Sequence, residues 1–127
     1  MKIKNIRTHV LSAKLSQPFA YSRAWYDTRM AGLVEIETDD GLVGWGECYG
    51  PALMTTAVVN AMAPGLIGQD PLRTDWLWYE TYARLRDHGQ KGVVIEALSG
   101  IDIALWDIKG KHFGVPACQL MGGSQRT

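Results

Sequence analysis

One apolar stripe constrains this chain more than any other feature. Val94, Ala97, Leu98, Ile101, Ala104, Leu105 and Ile108 recur at intervals of three and four residues, the spacing of a single helix face. The spacing predicts a buried helix. Its other side carries Glu96, Ser99, Gly100, Asp107, Gly110 and Lys111. The small residues there would let a second backbone approach closely, and Asp107 precedes Lys111 at the favourable i,i+4 separation. Gly114 ends the helix, with Pro116 just beyond. Asp102 and Asp107 are five positions apart, which turns them about 140° from one another on a helix, so one metal ion could hardly bind both.

Bulk properties narrow the class. A chain of 127 residues suits one domain, and 46% hydrophobic with 20% charged residues is too apolar for a disordered segment. Lys plus Arg equals Asp plus Glu at 13 each, which removes any global field that would favour nucleic acid or an anionic membrane as partner. Cys48 and Cys118 stand far apart, and the three histidines are scattered. The two thiols are expected to be reduced core residues, with no zinc pattern. The alternating N-terminus MKIKNIRTHV contains no signal-peptide run, and no stretch approaches the roughly 20 apolar residues of a membrane span. A cytoplasmic location is expected.

Along the chain, strands precede helices. Lys2–Leu11 reads as a first strand, with Ile6, Thr8 and Val10 on one face and Asn5, Arg7 and His9 on the other. Arg29–Thr38 reads as a second, with Val34 and Ile36 opposite Leu33, Glu35 and Glu37. Asp40-Gly41 is expected to supply the positive-φ residues of a tight hairpin leading into a third strand, Leu42–Glu47. Thr55–Met62 reads as a helix stopped by Pro64 and Gly65. Asp70-Pro71 is expected to start an aromatic helix running to Asp87, with Trp78, Tyr82 and Leu85 as its stripe and Gly89 and Gly92 closing it. This order predicts an α+β fold, a three-stranded antiparallel meander followed by a helical bundle.

Two connections look too long for spacers. The segment from Ser16 to Asp27, SQPFAYSRAWYD, holds four aromatics and an arginine without strand alternation or a helix stripe. Aromatic rings with a polar edge and an arginine able to grip a carboxylate would suit an anionic, hydroxylated ligand. The alternative is that Phe19 and Trp25 fold back on the core. The second connection is Cys48–Pro51. Glu47, just before it, is a lone carboxylate at a strand end and is read as structural. His88, alone between glycines, is read as a loop residue, since a general base needs an orienting partner.

The segment Ala97–Gly122, with its run A-L-S-G-I-D-I-A-L-W-D-I-K-G-K, then Pro116 and Leu120-Met121-Gly122, resembles the mandelate racemase and muconate lactonizing enzyme family of the enolase superfamily. Ala117 departs from the branched aliphatic residue usual there. The loop PFAYSRAWYDTR, the hairpin VEIETDDGLVGWGEC, the run GQDP and the stretch LRDHGQKG are similar to the acid-sugar branch, the galactarolactone cycloisomerases and acid-sugar dehydratases.

The resemblance implies a capping domain over residues 1–122, with 123–127 starting the junction to a (β/α) barrel. Such a barrel needs about 250 residues, so it is absent from this chain. It also implies that the segment between the first two strands closes over the barrel mouth as a lid. On that basis Phe19, Tyr21, Trp25, Tyr26 and Arg23 become candidate substrate contacts, with Tyr49 from the second capping loop. No catalytic or metal-binding residue is assigned to this chain. Mg²⁺ and the base that removes the proton α to a substrate carboxylate belong to the barrel. The implied partners are that barrel, a small carboxylate substrate and further copies of the protein. The implied reaction is an isomerisation or cycloisomerisation of a sugar acid or aldarolactone, with dehydration or racemisation as alternatives. The 127 residues alone are expected to be inactive. A reading of another class, a free-standing domain that binds a ligand without turning it over, differs in requiring a stop codon after Thr127.

Overall fold

The computed structural model describes Met1–Gly123; the expected junction beyond Gly123 lies outside the described residues. Three antiparallel strands in the order β1-β2-β3 form one sheet: β1 (Ile3–Tyr21), β2 (Ala24–Thr38) and β3 (Val43–Cys48). The helices α1 (Ala52–Met62), α2 (Thr74–Leu85), α3 (Val93–Phe113) and the short α4 (Ala117–Leu120) follow. The fold is therefore the expected α+β arrangement of a meander and a helical layer.

Alternation places the core. Ile6, Val34 and Ile36 are buried on the sheet face that meets α1 and α3, together with Val59, Met62, Leu77, Ala97, Leu98, Ile101, Leu105 and Ile108. Each fully buried aliphatic side chain contributes about 1.5–3 kcal/mol relative to exposure. The α3 stripe is thus the main wall of the core, and α3 ends at Gly114 in a left-handed cap, φ 68°, whose N–H reaches the carbonyls of Gly110 and Lys111.

The small residues of α3 do bring a backbone close, and that backbone is β3. A Cβ at Gly44 or Gly46 would collide with the carbonyl oxygens of Ala104 and Gly100 respectively, and a Cβ at Gly100 would collide with the Cys48 sulfur. The G-W-G of β3 and the S-G-I-D-I-A of α3 are therefore two halves of one contact.

Several boundaries differ from those the sequence suggests. The segment 16–27 is not a loop: β1 and β2 run on as a paired ribbon to Tyr21↔Ala24. Alternation is hidden because the register breaks between Lys14 and Phe19, where residues 15–18 of β1 stand against Asp27 alone. The turn closing this ribbon is Ser22-Arg23, with both φ values positive at 50° and 65°, the two-residue I′ geometry that usually draws Asn or Gly. At the other hairpin only Gly41 has positive φ, 91°. There the Thr38 hydroxyl, bonded to Asp40 and to the Leu42 carbonyl, shapes a wider turn. Helix α1 starts earlier than expected, because the Pro51 carbonyl already accepts the N–H groups of Met54 and Thr55. Helix α2 starts later. Asp70 spends its side chain on the Leu72 N–H and its carbonyl on Arg73, making a separate turn. Within α2, Leu77 and Thr81 are buried while Trp78 and Tyr82 stack beside them at 5.2 Å. Cys48 is buried as expected, but Cys118 on α4 is exposed.

Candidate functional site

The ribbon built by β1 and β2 continues well past the rest of the sheet. The last β2–β3 pair is Gly32↔Cys48, whereas the ribbon closes at Ala24. Eight residues of β2 (32 minus 24) at about 3.3 Å each carry its tip about 26 Å beyond that pair. Strand β3 runs antiparallel to β2, so it ends toward the same edge. Tyr49 consequently emerges at the end of the sheet from which the ribbon projects.

Near the tip, cross-strand pairing brings three of the sequence-predicted residues together. Phe19 pairs with Tyr26 and Tyr21 with Ala24, which puts Phe19, Tyr21 and Tyr26 on one face. Their rings stack with centroids 5.5 Å apart for Phe19–Tyr26, 5.9 Å for Phe19–Tyr21 and 4.5 Å for Tyr21–Tyr26. The guanidinium of Arg29 lies 5.2 Å from the Phe19 ring centre, a cation–π distance. The neighbouring Tyr21 phenol pushes the Tyr26 hydroxyl above the ordinary tyrosine range. The platform therefore offers apolar ring faces bordered by two phenol groups and one fixed positive charge, a surface suited to a polyhydroxylated anion.

The other candidates stand apart from this cluster. Trp25 pairs with Ala20 and so points to the opposite face, 77% exposed; it does not fold back on the core. Arg23 occupies the turn itself in the left-handed region. Tyr49 is 81% exposed on the short connection between β3 and α1. The sequence did not single out Arg29, because its approach to Phe19 depends on the register break.

The acidic residues of the signature helix have packing partners. Asp107 Oδ2 accepts the backbone N–H of Trp45 at 2.9 Å and the Lys111 ammonium at 2.6 Å, while Lys111 also donates to the Val43 carbonyl at 2.7 Å. Asp102 faces another direction, where burial, and then Asp75, raise its carboxyl above the usual range. On the sheet face away from the helices, Arg7 donates to Glu35 at 2.5 Å and His9 lies 2.7 Å from the second oxygen. The Arg7 hydrogen bond, then that of His9, holds Glu35 below the ordinary carboxylate range. Both oxygens are engaged, so this trio is an ionic staple between β1 and β2. His88 is exposed in the connection between α2 and α3, and Glu47 is exposed at the end of β3.

Mg²⁺ needs several convergent oxygen ligands, and among the described residues no group of three His, Cys, Asp or Glu side chains gathers to hold an ion. The donors present do not fit that metal. A cavity of about 110 Å³ between α1 and α2, lined by Met62, Leu66, Trp76, Leu77 and Arg84, lies away from the ribbon tip. No helix among the described residues is long and apolar enough to cross a membrane.

A glycine-tracked strand locked onto the signature helix, with an aromatic ribbon projecting from the sheet, is the architecture of an enzyme family's N-terminal domain, and the chain belongs to the mandelate racemase / muconate lactonizing enzyme family, whose N-terminal domain it matches over residues 4–122. Among characterised relatives, the D-galactarolactone cycloisomerase of Agrobacterium fabrum is 55% identical over 126 residues, 99% of this chain and 33% of the relative. The D-galactonate dehydratase of Verminephrobacter eiseniae is 48% identical over 95 residues, 73% of this chain and 25% of the relative. The crystal structure of the 3,6-anhydro-D-galactonate cycloisomerase from Zobellia galactanivorans superposes with a TM-score of 0.88 at 40% identity, covering 99% of this chain and 33% of that one. The chain thus spans about a third of the length of the cycloisomerases it resembles.

Proposed function

We propose that residues 1–122 form the capping domain of a longer enzyme that isomerises a sugar acid or aldarolactone, and that the aromatic ribbon selects its substrate. The observation that carries this reading is the Phe19–Tyr21–Tyr26 stack on a ribbon projecting from the same end of the sheet as Tyr49. Two walls at one edge suit a lid that covers a neighbouring cavity and excludes water from it. The 55% identity to a D-galactarolactone cycloisomerase supports isomerisation; the D-galactonate dehydratase relative supports dehydration as the second reading.

In this assignment Phe19, Tyr21 and Tyr26 line the substrate side and Tyr49 completes it from the sheet. Arg23 and Trp25 contact substrate or barrel only once the ribbon has closed. The reacting base and Mg²⁺ belong to a C-terminal barrel outside this chain, and residues 123–127 begin the junction to it. Exposed Ile103, Phe113 and Met121 supply an apolar surface for such a domain to cover. Unpaired Cys48 and Cys118 suit the reducing cytoplasm.

The test is a substrate screen of the longer protein with Mg²⁺ across acid sugars and their lactones. Turnover of an aldarolactone is expected, and none is expected from residues 1–127 alone. Activity of the 127-residue chain, or a longer protein inert toward every acid sugar, would refute the assignment.

A further inference from the structure

Tyr49 sits between two residues that pack against the first turns of α3. On one side Cys48 is buried at 3% exposure, its sulfur 3.9 Å from the Ala97 carbonyl and packed where Gly100 lacks a side chain. On the other side Gly50 adopts φ 92°, and the space where its Cβ would stand is filled by the carboxylate of Glu96. Immediately afterwards the Pro51 carbonyl starts α1. The turn therefore straddles α3, with Cys48 over Ala97 and Gly100 and Gly50 over Glu96.

The chemistry at Glu96 is unusual. Its Oε2 is closed to solvent and has no hydrogen-bond partner among the described residues. Leaving an acceptor desolvated and unbonded costs stability, more for a charged group. A glycine in the left-handed region costs chain entropy. Two local penalties thus meet at one contact, next to Tyr49. Sites where local rules are broken together are where function is expected to impose shape.

We propose that Glu96 is a positioning residue for Tyr49: by occupying the space over the Gly50 α-carbon it sets the path of the turn and so the direction of the Tyr49 ring. The assignment rests on Tyr49 being a substrate contact. Glu96 acts through its bulk, so the isosteric glutamine retains the function and truncation loses it.

Two arms test it separately. In the 127-residue chain labelled with 3-fluorotyrosine, the fluorine resonance of Tyr49 is expected to be unchanged by Glu96→Gln and to shift or broaden in Glu96→Ala. The resonance of Tyr79, exposed on α2, serves as the internal control. Glu96→Asp, which withdraws the carboxylate by one methylene, should give an intermediate shift, and it covers the case in which Glu96→Ala fails to fold. In the longer enzyme, Glu96→Ala is expected to raise KM for its acid-sugar substrate at least about fivefold with kcat within about twofold, and Glu96→Gln to restore KM. A Tyr49 resonance indifferent to Glu96→Ala and Glu96→Asp overturns the proposal, as does a glutamine variant as impaired as the alanine. If Tyr49→Ala itself leaves KM unchanged, the substrate contact falls instead. If Tyr49→Ala raises KM and neither Glu96→Ala nor Glu96→Asp does, only the positioning role falls.

Discussion

The Asp107 carboxylate accepts the backbone N–H of Trp45 at 2.9 Å, tying the most recognisable acid of the signature helix to the middle of strand β3. That strand lies at the edge of the sheet, so its outward N–H and C=O groups would otherwise await a partner strand. Asp107 takes the N–H of Trp45 and Lys111 donates to the carbonyl of Val43. The D-I-K-G-K run is in this respect an edge clasp.

Removing the clasp should cost stability and leave substrate handling alone. Asp107→Ala strips Trp45 of its acceptor and is expected to lower stability by about 1–3 kcal/mol, with Asp107→Asn milder because an acceptor remains. Thermal unfolding followed by circular dichroism checks this. A midpoint unchanged in Asp107→Ala would show that the clasp contributes nothing.

The glycine track should be less forgiving. Gly46→Ala drives a methyl group into the carbonyl of Gly100, and backbone on both sides leaves no flexible side chain to yield. Overpacking of this kind is expected to cost about 3 kcal/mol or more. Gly68→Ala, with open space around it but φ of 80°, should cost only about 1–2 kcal/mol. Urea midpoints of the two variants compare steric conflict with backbone strain directly.

Acid should loosen the sheet. Glu35 is held below its unfolded-state pKa by Arg7 and His9. Its contribution is therefore complete above the unfolded value, about 4.3, and disappears as pH falls through the folded value. Glu35→Gln is expected to lower the melting temperature at neutral pH and to flatten its fall in acid. Asp102 has the opposite sign, because burial raises its folded-state pKa. Its penalty is absent in acid and grows as pH rises through that value, so Asp102→Asn should raise the melting temperature at neutral pH and change little in acid. Melting curves across an acid pH series separate the two.

The platform at the ribbon tip makes a spectroscopic prediction. The neighbouring Tyr21 phenol, and then burial, push Tyr26 above the ordinary tyrosine range. Tyr21→Phe should therefore return one phenol to the ordinary range in a tyrosinate absorbance titration. A wild-type curve with no late-ionising tyrosine would contradict this effect of Tyr21 on Tyr26.

Much of this architecture was legible in the residues. The α3 stripe, the Val34 and Ile36 face and the strand-then-helix order follow from periods of about 3.6 and 2. What escaped was the ribbon. Its turn uses Ser22 and Arg23 in a conformation where Asn and Gly are the usual signal, and three extra residues at 15–18 shift the alternation out of phase. The aromatics themselves could be picked out by composition, but only pairing decides that Phe19, Tyr21 and Tyr26 share a face while Trp25 points away. The partner of Asp107 was equally hidden, since Trp45 lies 62 residues earlier in the chain.

Selection of an acid-sugar substrate through the ribbon, as proposed, can be put to trial in a chimera. Residues 1–122 would replace the matching part of the Agrobacterium fabrum D-galactarolactone cycloisomerase, and turnover of D-galactarolactone would be measured for the chimera and for its Tyr21→Ala/Tyr26→Ala form. An active chimera is expected, its KM rising about tenfold or more in the double variant with kcat less affected. A folded, active chimera whose KM ignores both tyrosines would contradict that selection.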